Sequence, residues 1–324
     1  MNTPECFFRL ADMDAPMARP SKYWLFLSFL FIGLGLCALA WYTRLPVLLW
    51  YWPGMAESQN SLGLPSYRVA IEAQPLAGLK SNVSGLAYVP RRGTLFTVTN
   101  SPPTVAELTT DGRLLRVIPI AGARDLEGIA HLGGEFFALA DEHGHRIYRV
   151  RITNQTRRID VSEAPSLGLD IWPDENRGFE ALAWDEKRQR LFVGKEKRPL
   201  AIFEIDGLSD WHGKMNLRIS QWRAKRPPAR FMRDQSSLDL VATTGNLLVL
   251  SDESGLLAEY GQDGELFGLM VLWPGWHGLK RAVPQGEGVA TDESGNIYIV
   301  SEPNLFYRFE RQASPCADTT GACR

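Results

Sequence analysis

Five stretches of this chain share one pattern, and that repetition limits the fold more than any other feature. Each opens on a small or acidic residue, runs through an apolar strand, turns, runs through a second apolar strand and closes on an acidic or amide residue. They read SGLAYVPRRGTLFTVTN (Ser84–Asn100), EGIAHLGGEFFALAD (Glu127–Asp141), EALAWDEKRQRLFVGKE (Glu180–Glu196), SSLDLVATTGNLLVLSD (Ser236–Asp252) and EGVATDESGNIYIVSE (Glu287–Glu302). A third short strand follows each, and after the first and fourth a further turn and strand follow, TDGRLLRVIPI and QDGELFGLMVL. The second strands begin at Leu95, Phe136, Leu191, Leu247 and Ile297. That spacing, roughly 40 to 55 residues, is the spacing of propeller blades, each built of four short strands with Gly or Asp turns. The pattern predicts an all-β, five-bladed β-propeller over residues 67–311, and an irregular β-sandwich would not keep five repeats in phase.

The two ends of the repeat array support a closed ring. The fifth repeat reaches its third strand at Leu305–Phe309 and then gives way to a polar tail, 312–324, so its outer strand is missing. Tyr67–Glu72 (YRVAIE) is a spare strand ahead of the first repeat. Adding it to the fifth blade would close the ring and remove two exposed edges.

Residues 23–42 carry no charge and begin YWLFLSFLFIGLGLCALAW, long enough as a helix to cross about 30 Å of hydrocarbon. No polar face interrupts the run, which excludes an ordinary amphipathic helix. Arg19 and Lys22 precede it and only Arg44 follows closely, so residues 1–22 are expected in the cytoplasm and the propeller outside. Ala38-Leu39-Ala40 resembles a signal-peptidase site and Cys37 invites a lipoprotein reading. The long acidic leader (Glu5, Asp12, Asp14) and the bulky Leu36 favour an uncleaved anchor over both. Residues 43–66 read as an interfacial collar followed by a linker.

Because the innermost strands line a propeller axis, equivalent repeat positions form rings. The first ring reads Ser84, Glu127, Glu180, Ser236 (or Ser237) and Glu287; the second reads Asn100, Asp141, Glu196, Asp252 and Glu302. Seven carboxylates in one narrow channel would raise one another's pKa unless a counter-charge sits among them. Lys195 could supply part of it. Oxygen-only donors suit a hard cation, Ca²⁺, and the lack of His or Cys in either ring argues against zinc. The second ring has a plainer reading as strand-end caps, strongest for Asp252 and Asn100.

Other features carry less. The chain has 35 basic and 37 acidic side chains and no basic stripe, which gives no field for nucleic acid. His131, His143 and His145 cluster in the second repeat. DESGN (Asp292–Asn296) resembles a calcium loop but is too short and sits where a hairpin turn belongs. RAKRPPAR (Arg223–Arg230) reads as a solvated loop. Cys316 and Cys323 flank a short polar loop and are either a disulfide pair or two free thiols.

The stretches DLEGIA, GFEALAW, LFVGKEK, LLVLSDES and QGEGVATDESGNIYIVSEPNLFYRF resemble the SdiA-regulated (YjiK-like) family of bacterial proteins, from about Tyr67 to Phe309. The resemblance implies a short cytoplasmic N-terminus, one membrane segment, a five-bladed propeller distantly related to NHL repeats, and a bound calcium ion. It supplies no ligand list, so the expected ligands, Glu127, Glu180, Glu287, Asp141, Glu196, Asp252, Glu302 and Asn100, rest on the two rings. Taken together, the expected function is a calcium-containing binding module on the periplasmic side of the inner membrane, engaging a protein or envelope ligand. The alternative is a calcium-dependent hydrolase acting on a lactone, ester or phosphoester, with His143 or His145 as base.

Overall fold

The computed structural model describes residues 22–42, 49, 59–169, 178–197, 199–208, 211 and 215–312. Cys316 and Cys323 lie outside them. The chain divides into two compact units, Met1–Pro46 and Val47–Arg324.

In the first unit, helix α1 runs from Lys22 to Tyr42. Tyr23, Trp24, Phe26, Phe29, Phe31 and Leu36 are all exposed, and so is Cys37. The lone hydroxyl in the run is satisfied internally, since Ser28 Oγ donates to the Trp24 carbonyl at 2.8 Å. A helix apolar on every side has no stable exposed state in water, and this one is long and apolar enough to cross a membrane.

The second unit is five antiparallel blades. Strand β1 (Tyr67–Pro75) comes first, followed by blade 1, β2 (Val83–Val89), β3 (Thr94–Asn100), β4 (Pro103–Thr109) and β5 (Leu114–Ala121). Blade 2 holds β6 (Leu126–His131), β7 (Phe136–Asp141) and β8 (Arg146–Arg151); the short β9 (Ile159–Asp160) then crosses back, and β10 (Ser166–Gly168) completes the blade. Blade 3 is β11 (Phe179–Asp185), β12 (Arg190–Lys195), β13 (Ala201–Asp206) and β14 (Arg218–Gln221). Blade 4 is β15 (Ser237–Leu240), β16 (Leu247–Ser251), β17 (Leu256–Tyr260) and β18 (Leu266–Val271). Blade 5 is β19 (Gln285–Thr291), β20 (Ile297–Glu302) and β21 (Leu305–Arg311), with β1 as its outer strand.

The expected closure is present. β1 pairs antiparallel with β21 from Tyr67↔Arg311 to Pro75↔Leu305, three residues further than the spare strand read from sequence. The core repeats the same closure. Five buried apolar clusters fill the five spaces between neighbouring blades, including the space between blades 5 and 1, where Tyr298, Val300 and Phe306 meet Leu86, Leu95 and Leu108. Middle strands are covered on both faces, so β16 and β17 have every residue buried and are apolar apart from Ser251 and Glu259, not alternating strands.

Two elements depart from the sequence reading. Residues 60–66, read as linker, pack onto the propeller. Ser61 Oγ (2.7 Å), Leu62 N–H (2.8 Å) and Asn246 Nδ2 (2.7 Å) all donate to the buried Glu259 carboxylate, and Leu62 and Leu64 join the cluster between blades 4 and 5. β9 adds to the edge of blade 1 in parallel with β5, an addition no repeat pattern would reveal.

Candidate metal site on the propeller axis

The innermost strands β2, β6, β11, β15 and β19 touch in that order around the axis, and β19 meets β2 again. Small residues permit the approach. The position after the first-ring residue is Gly85, Gly128, Ala181, Ser237 and Gly288. A Cβ on Gly128 would collide with the Glu180 carbonyl oxygen, and one on Gly288 would stand 2.7 Å from the Gly85 carbonyl carbon. Each ring glutamate occupies a bulge. The ladder steps from Leu126↔Asp141 to Gly128↔Ala140 across Glu127, and it does the same across Glu180 and Glu287. A bulged residue is left unpaired and its side chain is re-aimed.

The serines at this level act differently from the glutamates. Ser84 Oγ donates to the Glu127 carbonyl at 2.7 Å, and Ser236 Oγ donates to the Gly286 carbonyl at 2.6 Å. They tie one inner strand to the next, and Ser237 Oγ accepts from Val289 N–H at 3.1 Å.

The ladder corrects one ring position. Lys195 stands opposite Phe179, Ser301 opposite Gly286 and Thr99 opposite Val83, so the residues that follow, Glu196, Glu302 and Asn100, are equivalent. Opposite Leu126 stands Asp141, which makes Glu142 the second-ring residue of blade 2. Asp141 has another task. Its buried carboxylate accepts from the backbone N–H groups of Arg124, Asp125 and Gly144 at 3.2–3.4 Å, closing the turn that leads into β8.

With that register, carboxylate oxygens of Asp125, Glu127 and Glu142 lie within 4.8 Å of one another. Ligands held at about 2.3–2.6 Å from one Ca²⁺ stand at most about 5 Å apart, so this spacing fits a single ion. Asn100 Nδ2 donates to Glu127 Oε1 at 2.9 Å while its own Oδ1 is buried without a partner. Glu142 is oriented by the Gly178 N–H, 2.9 Å from its Oε1. The donors are all oxygen, so the residues present fit a hard cation. Asp125 and Glu142 escaped the sequence reading. Their signal was there: the second repeat carried on to Glu142 has the same length as the fifth, Glu287–Glu302, and Asp125 stands two residues ahead of Glu127.

Charge crowding marks the whole mouth. Burial pushes the Glu127 carboxyl up to about 7, helped by Asp125 and Glu142 and opposed by the Asn100 and Ser84 hydrogen bonds. Glu180 is pushed up to about 11 by burial and then by Glu196, Glu142, Glu127 and Glu287. Glu287 rises to about 8 through burial and then Asp252, Glu127 and Glu302, opposed by a Gln285 hydrogen bond. Burial also raises Glu142 and Glu302. Of the three ring glutamates, Glu180 therefore feels the charge of the other two, and Glu287 that of Glu127. Two of the remaining expected ligands, Asp252 and Glu196, have partners of their own. Asp252, pushed up to about 6 by burial and Asp234, accepts from the Gly286 backbone N–H. Glu196 pairs at 2.5 Å with Lys197, which also holds Glu253 at 2.9 Å. Lys195, expected as counter-charge, is buried and donates to the Lys197 carbonyl at 3.1 Å.

The histidines do not form one group. His131 Nε2 lies 3.2 Å from the Gly134 carbonyl at the far end of β6. His143, exposed, and His145, with φ +47°, sit in the turn after Glu142. DESGN is the β19–β20 turn, where Asp292 accepts from Asn296 N–H (2.8 Å) and Tyr298 OH (2.7 Å).

A closed five-bladed propeller with carboxylates crowded at one mouth of its axis is the class this fold and site define. The chain belongs to the SdiA-regulated family, which it matches over residues 59–310. Its architecture is also similar to solved structures of other proteins. A luciferin-regenerating enzyme is 13% identical, with 75% of this chain and 80% of that chain covered and a TM-score of 0.46. A nidogen/laminin complex is 16% identical, with 68% and 73% covered and a TM-score of 0.44. A catalytically inactive virginiamycin B lyase from Staphylococcus aureus with quinupristin is 9% identical, with 78% and 76% covered and a TM-score of 0.40.

Proposed function

We propose that this protein is a calcium-binding propeller tethered to the bacterial inner membrane through residues 23–42, with the propeller on the periplasmic side as a binding module for a protein or envelope ligand. The observation that carries the reading is the group of Asp125, Glu127 and Glu142 oxygens beside the unpaired Asn100 Oδ1. Glu180 adds charge from the next blade. The ion's role is structural: it neutralises the carboxylates crowded in blade 2, which Asn100 of blade 1 touches and whose charge Glu180 of blade 3 feels. The basic residues Arg19, ahead of α1, and Lys22, its first residue, support the orientation. Calorimetric titration of the full chain in detergent with Ca²⁺ is the test. Saturable binding that Glu127→Gln weakens tenfold or more is the expected result, and no calcium-dependent heat would overturn the reading.

A hydrolase is the second reading, favoured by one observation: His145 lies close enough to Glu142 to lower the pKa of that carboxyl. Calcium-dependent turnover of lactones or phosphoesters, lost with chelator and in His145→Ala, would establish it over the binding module.

A further inference from the structure

The opposite mouth of the axis is built for something else. Where the inner strands run into their hairpin turns, a cavity of about 300 Å³ opens, walled by Leu86, Ile129, Ala130, Leu182 and Leu240. No carboxylate of either ring lines it. Asp239, Thr291 and Trp184 do, and the Trp184 indole N–H is buried without an acceptor. Asp239 breaks the internal repeat. At its position the other four inner strands carry Ala87, Ala130, Ala183 and Ala290, so blade packing there is satisfied by a methyl group and does not require a carboxyl. Thr291 Oγ1 donates to Asp239 Oδ2 at 2.6 Å and fixes the group from the neighbouring blade. The charged groups around it are already engaged or balanced. Arg188 at the rim is paired with Asp185 at 2.8 Å, Glu186 and Lys187 offset each other in formal charge, and burial lowers the pKa of His131. Among the described residues, Asp239 has no cation within ion-pair distance, and burial pushes its carboxyl up to about 7, so a cation beside it is what would hold it ionised.

A cavity of this size is at the lower limit for small-molecule sites, and it combines an apolar wall with a few placed polar groups. At about 30 Å³ for each water-sized group, it holds a body of about ten non-hydrogen atoms. We propose that this mouth binds a small organic amine, with its ammonium against the Asp239 carboxylate and its apolar body against the leucine wall and the Tyr88 and Trp184 rings. An ammonium gains from both a fixed carboxylate and nearby aromatic faces. A hydroxyl or carbonyl oxygen on the same molecule would satisfy the Trp184 N–H.

Phenethylamine, phenethyl alcohol and phenylacetate share one apolar body and differ in the charge of the head group. Titrated calorimetrically into the full chain in detergent, phenethylamine should saturate one site and bind at least tenfold more tightly than the alcohol, with phenylacetate not bound. Asp239→Ala, which installs the residue of the other four repeats, should keep the melting temperature and lose at least tenfold in amine affinity. Asp239→Asn keeps an oxygen for Thr291 and is the second variant, with the same loss expected. Partition into micelles is common to all these proteins and cancels in the comparison. Amine binding that does not saturate, that the alcohol equals, or that both Asp239 variants retain overturns the proposal.

Discussion

Asp141 and Glu142 are neighbours with opposite roles, and exchanging their oxygens for amides separates them. The Asp141 carboxylate accepts three backbone N–H groups, so Asp141→Asn removes charge-assisted bonds from a buried turn and should cost about 1–3 kcal/mol whether calcium is present or not. Glu142 is crowded by Asp125 and Glu196, so Glu142→Gln should leave the calcium-free melting temperature no lower while reducing calcium affinity tenfold or more. Melting with and without chelator, beside calorimetry, checks both. Sequence alone assigned the ring to Asp141 because an acid there ends an apolar run as neatly as Glu142 does. The deciding information is the ladder pairing of Leu126, which depends on the turn length between β6 and β7. The ring glutamates also set a pH dependence. Glu127 and Glu287 move from an ordinary 4.5 to about 7 and about 8 on folding, so the folded chain holds their protons more tightly than the unfolded chain. The contribution of these two carboxyls to the stability of the calcium-free protein is then fully present below about 4.5 and is lost as pH rises towards 8. Saturating calcium should flatten that fall, and melting curves across this window with either chelator or calcium measure it.

At the level of strands, the closing pair β1–β21 was legible because something was missing: a fifth repeat with three strands and a spare strand elsewhere. Its energetics follow from what β1 buries. The Tyr67 ring is buried and its hydroxyl donates to the Gly295 carbonyl at 2.5 Å, while Phe309 on β21 is fully buried beneath it in the same cluster. Phe309→Ala should cost about 3–5 kcal/mol, as large cavities in cores do, and Tyr67→Phe about 1 kcal/mol for one hydrogen bond. Urea unfolding of the two variants checks the ratio. The packing of residues 60–66 was not legible. Its signal is a single buried acid, Glu259, in a strand otherwise apolar, and nothing in the local sequence says that its partners are Ser61 and Leu62, nearly two hundred residues earlier. β9 was hidden for a related reason, since two residues in parallel pairing carry no periodicity.

For the whole molecule, the decisive property is that the five inter-blade clusters form a ring with no terminal member. In an open array of repeats, the end units lack one neighbour and fray first. Here the space between blades 5 and 1, filled by Phe306 and Tyr298, is equivalent to the space between blades 1 and 2, filled by Phe96 and Phe137. Phe137 and Phe306 are both fully buried. Phe306→Ala and Phe137→Ala should therefore destabilise by similar amounts, about 3–5 kcal/mol each. The denaturant slope should match the parent's in both, because loss of any one interface opens the ring and exposes the same total surface. If Phe306→Ala instead gave an early transition with a shallow slope, blade 5 would be opening alone and β1 would be a strap over a stack of blades. A single steep transition in both variants means that chain termini far apart in sequence are held by the same cooperative unit that brings Glu127, Glu180 and Glu287 together. In that case the axial mouth exists only while all five blades are in place, and calcium binding and global unfolding should be lost at the same denaturant concentration.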